Sequence, residues 1–324
     1  MRRHSIARSM ARPYWMADGV HGAMDQKLYS YSPIVSRPRI EWPGGAAVAF
    51  YIGLNIEHFE VDKPSTTIDR VTAGLAPDAL NYGWRDYSPR VGIWRMIELL
   101  DRLEIVASVP LNADVCSRYP QIVAAGNERG WAWIAHGRNN SNLWTAMAEE
   151  EERERLREVV ETIEAATGRR PDGWLGPALT ETFETPKLLA ELGLSYVLDW
   201  CNDEQPYPLN VDGMISVPYG IELNDIVLFV GKNLSGEDYV RLVEDSLEQL
   251  LADGQSNGRV MALPLHPFII NQPFRHKYLA RVLELMRSTA GVWVTTSDAI
   301  AEHYVRHYAE AARLAIVEER AGAR

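Results

Sequence analysis

Residues 46–58 read "AAVAFYIGLNIEH", and they predict both a strand and the polar residues that follow it. As far as Leu54 the stretch is an unbroken apolar run, which is typical of a strand buried on both faces of a parallel sheet. The run then changes into polar side chains at Asn55, Glu57 and His58. Active sites of parallel α/β barrels lie at the carboxyl ends of the strands, so this ending predicts a functional site.

Short apolar runs alternate with longer helical segments through the rest of the chain. "IVASVPLN", "GWAWIAHG" and "RVMALPLH" are predicted to be further strands, and "IWRMIELLDRL" and "EEERERLREVVETIEAAT" to be helices. In the last segment, apolar residues recur at helical spacing, and they are Leu156, Val159, Val160 and Ile163. About seven or eight strand–helix repeats predict an α/β fold in which a parallel sheet closes into a barrel.

The two ends of the chain differ from this pattern. Residues 1–40 have no steady period and contain Pro33 and Pro38, each of which removes a backbone hydrogen-bond donor. We interpret this region as an N-terminal arm that packs on a neighbouring subunit, and we therefore expect a homo-oligomer. The barrel is expected to span residues 41–308, and residues 309–324 are expected to form a C-terminal helical tail.

Composition limits the size of the fold and the class of partner. With 324 residues, of which 46% are hydrophobic, the chain can bury the core of one large barrel. Its net charge of -11 argues against nucleic acids and anionic membranes, because both bind basic surfaces. No apolar run is long enough to cross a bilayer, and the basic N-terminus lacks the apolar stretch of a secretory signal. A cytoplasmic location is therefore expected.

Several other predicted strands also end in polar residues. The third ends at His136, the fifth is followed by Asn202 and Asp203, and the seventh ends at His266. In a parallel barrel these positions would meet the polar residues of the first strand at one mouth, although they are far apart in sequence.

Glu57 and His266 suit acid–base chemistry. A carboxylate at the mouth of an apolar barrel is partly desolvated, which raises its pKa, so Glu57 is a candidate general base. His266 follows an apolar strand and precedes Pro267, and it is a candidate general acid or oxyanion donor. The alternatives are structural: a surface or helix-capping carboxylate for Glu57, and a hydrogen-bonded core histidine for His266.

A zinc site is the other chemistry that the histidines suggest. His58 and His136 are possible ligands, but catalytic zinc needs a third protein ligand and an open position for water. Glu57 points to the opposite side of the strand from His58, and Asn140, four residues after His136, is a poor zinc ligand. We therefore expect no metal, although weak binding at His58 and His136 stays open.

These motifs, in this order, resemble the polysaccharide deacetylase, or NodB homology, superfamily. The branch that they resemble contains metal-independent allantoinases and cyclic-imide hydrolases. Six segments between about residues 28 and 305 carry the resemblance: "FYIGLNIEH", "DYSPRVGIWR", "IAHGRNN", "CNDEQPY", "PYGIELND" and "HPFIINQPFR". The resemblance implies an irregular (β/α) barrel of the deacetylase type.

In the metal-dependent deacetylases of this superfamily, the first motif carries two aspartates, base then ligand, and the third-strand motif carries two histidines. Here Glu57 falls at the base position and His58 at the ligand position. His136 falls at the first histidine and Asn140 at the second. This departure resembles the metal-independent branch, and it implies hydrolysis without a metal or another cofactor. That branch tends to have a second glutamate where this chain has His58, and "GWLGPALTET" lacks the arginine usual in deacetylases.

The resemblance implies a hydrolase that cleaves a non-peptide C–N bond in a small cyclic amide, either an allantoin-like ureide or a cyclic imide. Glu57 would activate water, while His136 and His266 would donate to the oxyanion and to the leaving nitrogen. The polar residues expected to bind the substrate are Asn55, His58, Asn140, Asn202, Asp203, Asn224 and Asp225. Two alternatives stay open, a metal-dependent deacetylase of N-acetyl sugars and a catalytically silent relative that binds a small ligand.

Overall fold

Parallel strands run through the centre of the computed structural model, which describes residues 26–322 and side chains as far as residue 318. The strands are β1 (Val48–Leu54), β2 (Ser108–Leu111), β3 (Ala132–Ala135), β4 (Gly173–Trp174), β5 (Tyr196–Val197), β6 (Tyr207–Pro208), β7 (Ile215–Ser216), β8 (Arg259–Leu265) and β9 (Val292–Val294). They form one sheet in the order β6-β7-β5-β4-β3-β2-β1-β8, and β9 pairs with β1. The β6–β7 pair is antiparallel, and the pairs among the other strands are parallel.

β1 is paired along both of its edges. On one edge its seven residues pair with β8 in continuous register, from Val48 opposite Arg259 to Leu54 opposite Leu265. On the other edge, β9 pairs with the first part of β1 and β2 pairs with it at Gly53. Every residue of β1 is buried, which confirms the strand predicted from the apolar run.

The sheet curls, but its two ends do not meet. β6 and β8 are the terminal strands, and no pairing joins them in the part of the chain that the structure describes. We call the gap between β8 and the β6–β7 pair the seam. The predicted irregular (β/α) barrel is therefore confirmed, in the form of a curled half-barrel with an open seam.

Helices pack around this sheet. They are α1 (Ala79–Tyr87), α2 (Ile93–Leu103), α3 (Ala113–Arg118), α4 (Pro120–Glu128), α5 (Glu149–Thr167), α6 (Thr185–Glu191), α7 (Gly236–Gly254), α8 (Pro267–Ile270), α9 (Pro273–Ser288), α10 (Ser297–His307) and α11 (Ala309–Gly322). α2 has the bounds that "IWRMIELLDRL" predicts. The first turn of α5 contains four glutamates, which suit the positive end of a helix dipole, and its predicted apolar face is buried.

Alternate residues of the strands face two different apolar cores. On β1, Phe50 and Ile52 lie in the core that packs against α2 to α9, whereas Ala49 and Tyr51 lie in a second core. This second core contains residues from several other strands and from α10 and α11. The alternation along β1 places it inside the curl of the sheet. The interior of the barrel is therefore filled with side chains, which leaves chemistry to the ends of the strands.

The described part of the predicted N-terminal arm lies on this chain's own barrel. Tyr29 forms an antiparallel bridge with Leu209 and packs against Trp200 and Tyr207. Residues 1–25 of the arm lie outside the described residues, and the role of the arm in assembly stays a prediction. Among the described helices, including α11 in the predicted tail, none has the length and apolar character that a membrane span requires.

Candidate active site

Three of the predicted catalytic residues come together at the carboxyl ends of neighbouring strands. Glu57 follows β1, His136 follows β3 and His266 follows β8. The backbone after β1 stays tied to both neighbouring strands, because Asn55 N donates to Leu265 O and Ile56 N donates to Pro110 O, at 2.9 Å each. Hydrogen bonding of the sheet therefore carries Glu57 beyond the end of the strand in a fixed position.

A single carboxylate oxygen, Glu57 Oε1, is the centre of this site. His136 Nε2 lies 3.5 Å from it and His266 Nε2 lies 3.6 Å from it. The side-chain amide of Asn140 donates a hydrogen bond to the same oxygen. All three catalytic candidates are buried, so these contacts form in a medium where electrostatic interactions are stronger than in water.

Asp225 stabilises the protonated, cationic form of His266. The carboxylate of Asp225 contacts His266 Nδ1 at 2.6 Å and accepts from the backbone N–H of His266 at 2.7 Å. Burial alone would lower the pKa of His266, but the charges of Asp225 and Glu57 raise it to about 10. Asp225, predicted to bind substrate, therefore acts on His266 in this structure.

The ionisation of Glu57 corrects the sequence prediction. Desolvation was expected to raise its pKa, and burial does act in that direction. The positive charge of His266 and its hydrogen bond outweigh burial, together with the His136 ring when Nε2 of that ring is protonated, and they lower the pKa of Glu57 to about 2. The expected rise was wrong because the charge of His266 depends on a contact with Asp225 that the sequence does not display.

The orientation of His136 is fixed from the side opposite to Glu57. Its Nδ1 lies 2.6 Å from the carbonyl oxygen of Leu175. A carbonyl oxygen only accepts hydrogen bonds, so Nδ1 carries a proton and donates it. In the neutral imidazole, Nε2 is then an unprotonated acceptor that faces Glu57.

Asn112 connects the parts of the site, and sequence reasoning missed it. This residue follows β2, and its Oδ1 accepts from the backbone N–H of His58 at 2.9 Å. Its Nδ2 donates to Asn140 Oδ1 at 3.0 Å and also to the backbone oxygen of His136. The signal was present, because "IVASVPLN" ends in a polar residue as the first strand does.

The donor set around His136 does not suit a metal ion. Asn140 lies between Asn112 and Glu57, with its amide nitrogen on the carboxylate and its oxygen on Asn112. The His58 ring packs 6.0 Å from the Tyr119 ring, and burial and Arg118 lower its pKa. Within the described residues, no group of three His, Cys, Asp or Glu side chains could hold a metal. A zinc site needs such a set of ligands.

Two other predicted binding residues are engaged in contacts with the protein. Asn55 Nδ2 lies 2.7 Å from the hydroxyl of Tyr219, and both residues are buried. Asn224 Oδ1 accepts from Ile226 N at 3.0 Å, next to the π-helical segment Ile226–Gly231. These hydrogen bonds show that Asn55 and Asn224 hold neighbouring parts of the protein in place around the site.

Asn202 and Asp203 lie elsewhere, so their predicted place at the mouth is wrong. Asp203 accepts two hydrogen bonds from Arg37, at 2.8 and 2.6 Å, and Asn202 Oδ1 accepts from a tyrosine hydroxyl at 2.9 Å. The next residue, Glu204, accepts a backbone hydrogen bond from Val260 near the start of β8. That point is about 20 Å along the strand from His266. After β5 the chain turns into the seam, where a cavity of about 590 Å³ is lined by Asn202, Asp203 and Pro218 among others.

Arg85 is a second residue that the sequence prediction missed. It is buried, it lies over the Phe59 ring at 4.7 Å, and it donates to the backbone oxygen of Thr66. It lines a narrow cleft together with Glu57 and His58. The Coulombic interaction between Arg85 and Glu57 places a permanent positive charge beside this cleft. Nothing in the spacing of "NYGWRDY" distinguishes Arg85 from a surface arginine.

Gly92 allows close packing beside His266. A Cβ atom at this position would lie 2.3 Å from the backbone oxygen of Pro267, which is too close for any side chain. Gly92 ends the π-helical segment Ser88–Gly92, which leads into α2. The glycine in "DYSPRVGIWR" therefore lets this segment pack directly against the residue that follows His266.

Comparisons with known proteins agree with this fold. The sequence matches the polysaccharide deacetylase family over residues 83–197. A polysaccharide deacetylase homologue from Schizosaccharomyces pombe is 26% identical over 239 residues, which cover 67% of this chain and 73% of that protein.

Solved structures extend the similarity over most of the chain. The PuuE allantoinase is 26% identical with a TM-score of 0.76, and the match covers 89% of this chain and 99% of the allantoinase. A polysaccharide deacetylase homologue from Pseudomonas aeruginosa PAO1 is 25% identical with a TM-score of 0.74, covering 83% of this chain and 95% of that one. The chain is thus similar to the polysaccharide deacetylase, or NodB homology, family in sequence over residues 83–197 and in fold over most of its length, and an allantoinase is among its structural relatives.

Proposed function

We propose that this protein hydrolyses a C–N bond in a small cyclic amide, either an allantoin-like ureide or a cyclic imide. The observation that carries the proposal is the contact of one buried carboxylate, Glu57, with His136 and with the cationic His266. This arrangement provides a proton acceptor and a proton donor within one small site. The similarity to an allantoinase supports the same class of reaction.

Glu57 and His136 hold the attacking water in this proposal. Glu57 Oε1 and the unprotonated His136 Nε2 are two acceptors 3.5 Å apart, so one water molecule can donate a hydrogen bond to each. As the water oxygen bonds to the amide carbon, Glu57 accepts its proton. The positive charge of His266 lowers the pKa of Glu57 and makes this carboxylate a weak base, so the proton passes on to His136 Nε2.

His266 completes the reaction. Its Nε2–H donates to the oxygen of the tetrahedral intermediate, where negative charge develops. When the C–N bond breaks, the leaving nitrogen takes this proton and the carbonyl forms again. One water molecule is consumed, and the ring opens into a carboxylic acid and a free N–H group.

The narrow opening at Glu57 favours a small substrate. Glu57 retains only 8% of its accessible surface, and it lines a narrow cleft with Arg85 and Tyr119. A polysaccharide chain would need an open groove on both sides of the reacting bond, whereas a single five- or six-membered ring needs only a pocket.

A metal-dependent deacetylase of N-acetyl sugars is the second candidate, and the family match favours it. Asn140 and His58 argue against it, because the amide is held by Asn112 and Glu57 and the imidazole packs against Tyr119. The two candidates differ in whether activity depends on zinc.

A substrate panel with and without a chelator tests both candidates. Purified protein is assayed with allantoin, hydantoin, succinimide and N-acetylglucosamine oligomers, before and after incubation with a strong chelator and dialysis. We expect turnover of at least one cyclic amide, unchanged by chelation. Activity on the sugar oligomers that is lost on chelation and restored by zinc would establish the second candidate instead.

A further inference from the structure

Two carboxyl groups behind His136 have no part in the reaction described above. Asp199 follows β5, and Glu181 lies in the loop between β4 and α6. Asp199 Oδ1 accepts from Gly176 N at 2.7 Å. Asp199 Oδ2 and both carboxyl oxygens of Glu181 are buried, and the two carboxyl groups lie within hydrogen-bonding reach of each other, so a bond between them requires a proton on one of them. At least one of these carboxyl groups is expected to carry a proton, because burying an unpaired negative charge has a large cost in free energy.

One peptide group connects this pair to the active site. The N–H of Gly176 donates to Asp199, and the carbonyl oxygen of the same peptide, Leu175 O, accepts from His136 Nδ1 at 2.6 Å. Hydrogen bonds at both ends of one peptide polarise it in the same direction and strengthen each other. The negative charge of Asp199 therefore strengthens the hydrogen bond of His136 Nδ1 through a single peptide group.

The charges around the pair favour a shared proton. Burial and the neighbouring Asp199 raise the pKa of Glu181 to about 9, and burial raises the pKa of Asp199 to about 7. The titratable groups that face the pair from other elements are Glu152 on α5 and the Cys201 thiol, and neither is a cation. Two adjacent buried carboxyl groups without a cation cannot both ionise at neutral pH without a large cost.

The loop that carries Glu181 is held in one conformation. Ala178 and Leu179 both have left-handed backbone angles, with φ of 55° and 58°. At Gly176 a Cβ atom would lie 1.9 Å from the backbone oxygen of Thr180. Such backbone geometry persists only where the surroundings enforce it, so the distance from Glu181 to the Leu175–Gly176 peptide is fixed by the fold.

We propose that Glu181 and Asp199 share one proton and position His136 through the Leu175–Gly176 peptide. Asp199 holds the peptide, the peptide holds the proton on His136 Nδ1, and His136 Nε2 is thereby kept as an acceptor toward Glu57. Glu181 and Asp199 are positioning residues, since neither contacts Glu57 or the substrate. The effect on turnover rests on the proposed function, whereas the shared proton and the hydrogen bond of His136 do not.

Infrared spectroscopy tests the shared proton without any substrate. The carboxylic acid C=O band is followed against pH in the wild type, in Glu181→Gln and Asp199→Asn, and in the control Glu184→Gln. Glu184 lies in the same loop but is half exposed and pairs with Lys187 at 3.5 Å. We expect an acid band that persists at neutral pH in the wild type and the control. In either pair variant the remaining carboxyl should titrate at lower pH, because its negative neighbour is gone. A wild type without this band at neutral pH would overturn the proposal.

Nitrogen-15 NMR of histidine-labelled protein tests the connection to His136. The Nδ1–H signal of His136, assigned by its loss in His136→Gln, should lie far downfield in the wild type. We expect it to move upfield in Asp199→Ala and less in Asp199→Asn, which keeps an acceptor for Gly176 N–H. An unmoved signal in a folded Asp199→Ala protein would refute the connection from Asp199 to His136, whatever substrate the protein turns over.

Turnover on the substrate found by the panel provides the third measurement. We expect Asp199→Ala to lower kcat about 10–100-fold with little change in KM, the range known for outer partners that orient metal-binding histidines, because Asp199 orients His136 in the same indirect way. Asp199→Asn should recover part of this loss, and Glu184→Gln should match the wild type. Wild-type kcat and an unchanged pH profile in both Asp199 variants would overturn the positioning role. A protein that turns over no cyclic amide would contradict the proposed function alone.

Discussion

Asn140 donates a hydrogen bond to the carboxylate of Glu57, at the position where a second histidine would otherwise complete a pair with His136. An amide at this position cannot titrate and binds metals weakly, but it is a good donor to a carboxylate. Asn140 is therefore a poor metal ligand and at the same time supports the ionised form of the proposed base.

Replacing Asn140 by alanine should lower activity. A hydrogen bond to a charged group contributes about 1.5–3 kcal/mol, so we expect kcat/KM to fall about 10–100-fold in Asn140→Ala. Steady-state kinetics on the cyclic amide measures this. Asn142→Ala is the matched control, since Asn142 lies in the same loop but donates to Glu60 and Asn139 instead. Equal kinetics in the two variants would contradict a direct role for Asn140.

Glu57→Gln should remove the proton acceptor and keep the shape of the side chain. The expected loss in kcat is about 10²–10⁴-fold, the usual range for one general base, with a smaller change in KM. Glu60→Gln serves as the control, because Glu60 pairs with Lys63 at 2.5 Å away from both catalytic histidines. If Glu57→Gln kept near-full turnover while His136→Ala abolished it, His136 would be the base.

The alkaline limb of the rate profile should report His266. Burial alone would lower the pKa of His266, but Asp225 and Glu57 raise it to about 10, and only the cation can act as the acid. We therefore expect kcat/KM to decline through about pH 10. Asp225→Asn removes one negative partner and should move the decline to lower pH. A limb that stays in place in this variant would rule out Asp225 as the cause.

The same ion pair predicts how the free energy of unfolding varies with pH. The folded-state pKa of His266, about 10, is above its ordinary value of 6.5, so its stabilisation is complete below pH 6.5 and is lost as pH rises toward 10. Glu57 behaves oppositely: with a folded pKa of about 2 against 4.5, its stabilisation is complete above pH 4.5 and is lost as pH falls toward 2. Urea unfolding across this range should show a plateau between the two declines. In His266→Gln the alkaline decline should be smaller than in the wild type.

Asp203→Asn should weaken the fold and leave the chemistry unchanged. Its carboxylate accepts two hydrogen bonds from Arg37 in a largely buried ion pair, so we expect a loss of about 1–3 kcal/mol in unfolding free energy. Turnover should stay within about twofold, since Asp203 lies far from Glu57. Arg39→Ala, which removes an exposed pair with Glu41, should cost almost nothing. A large loss of kcat in Asp203→Asn would show instead that Asp203 takes part in catalysis.

The strand ends were enough to find the centre of the site but not its charges. Glu57, His136 and His266 each follow a predicted strand, and parallel pairing brings them together. Asn202 and Asp203 also follow a strand, but β5 has only two residues. A strand this short does not determine whether the chain continues to the mouth or turns into the seam. The pKa values of Glu57 and His266 depend on Asp225, which approaches from a loop whose path no local pattern encodes.

The continuous register between β1 and β8 has a consequence for how this protein can vary. Glu57 and His266 are carried by adjacent strands that are paired over seven successive residues. A slip of one residue would turn every side chain of β8 to the opposite face and would present an apolar neighbour of His266 to the carboxylate. The spacing of acid and base is therefore set by the backbone ladder and not by the side chains around it. Substitutions inside β1 and β8 that preserve the backbone pairing of the two strands should leave turnover largely unchanged. A single insertion or deletion in either strand should abolish turnover.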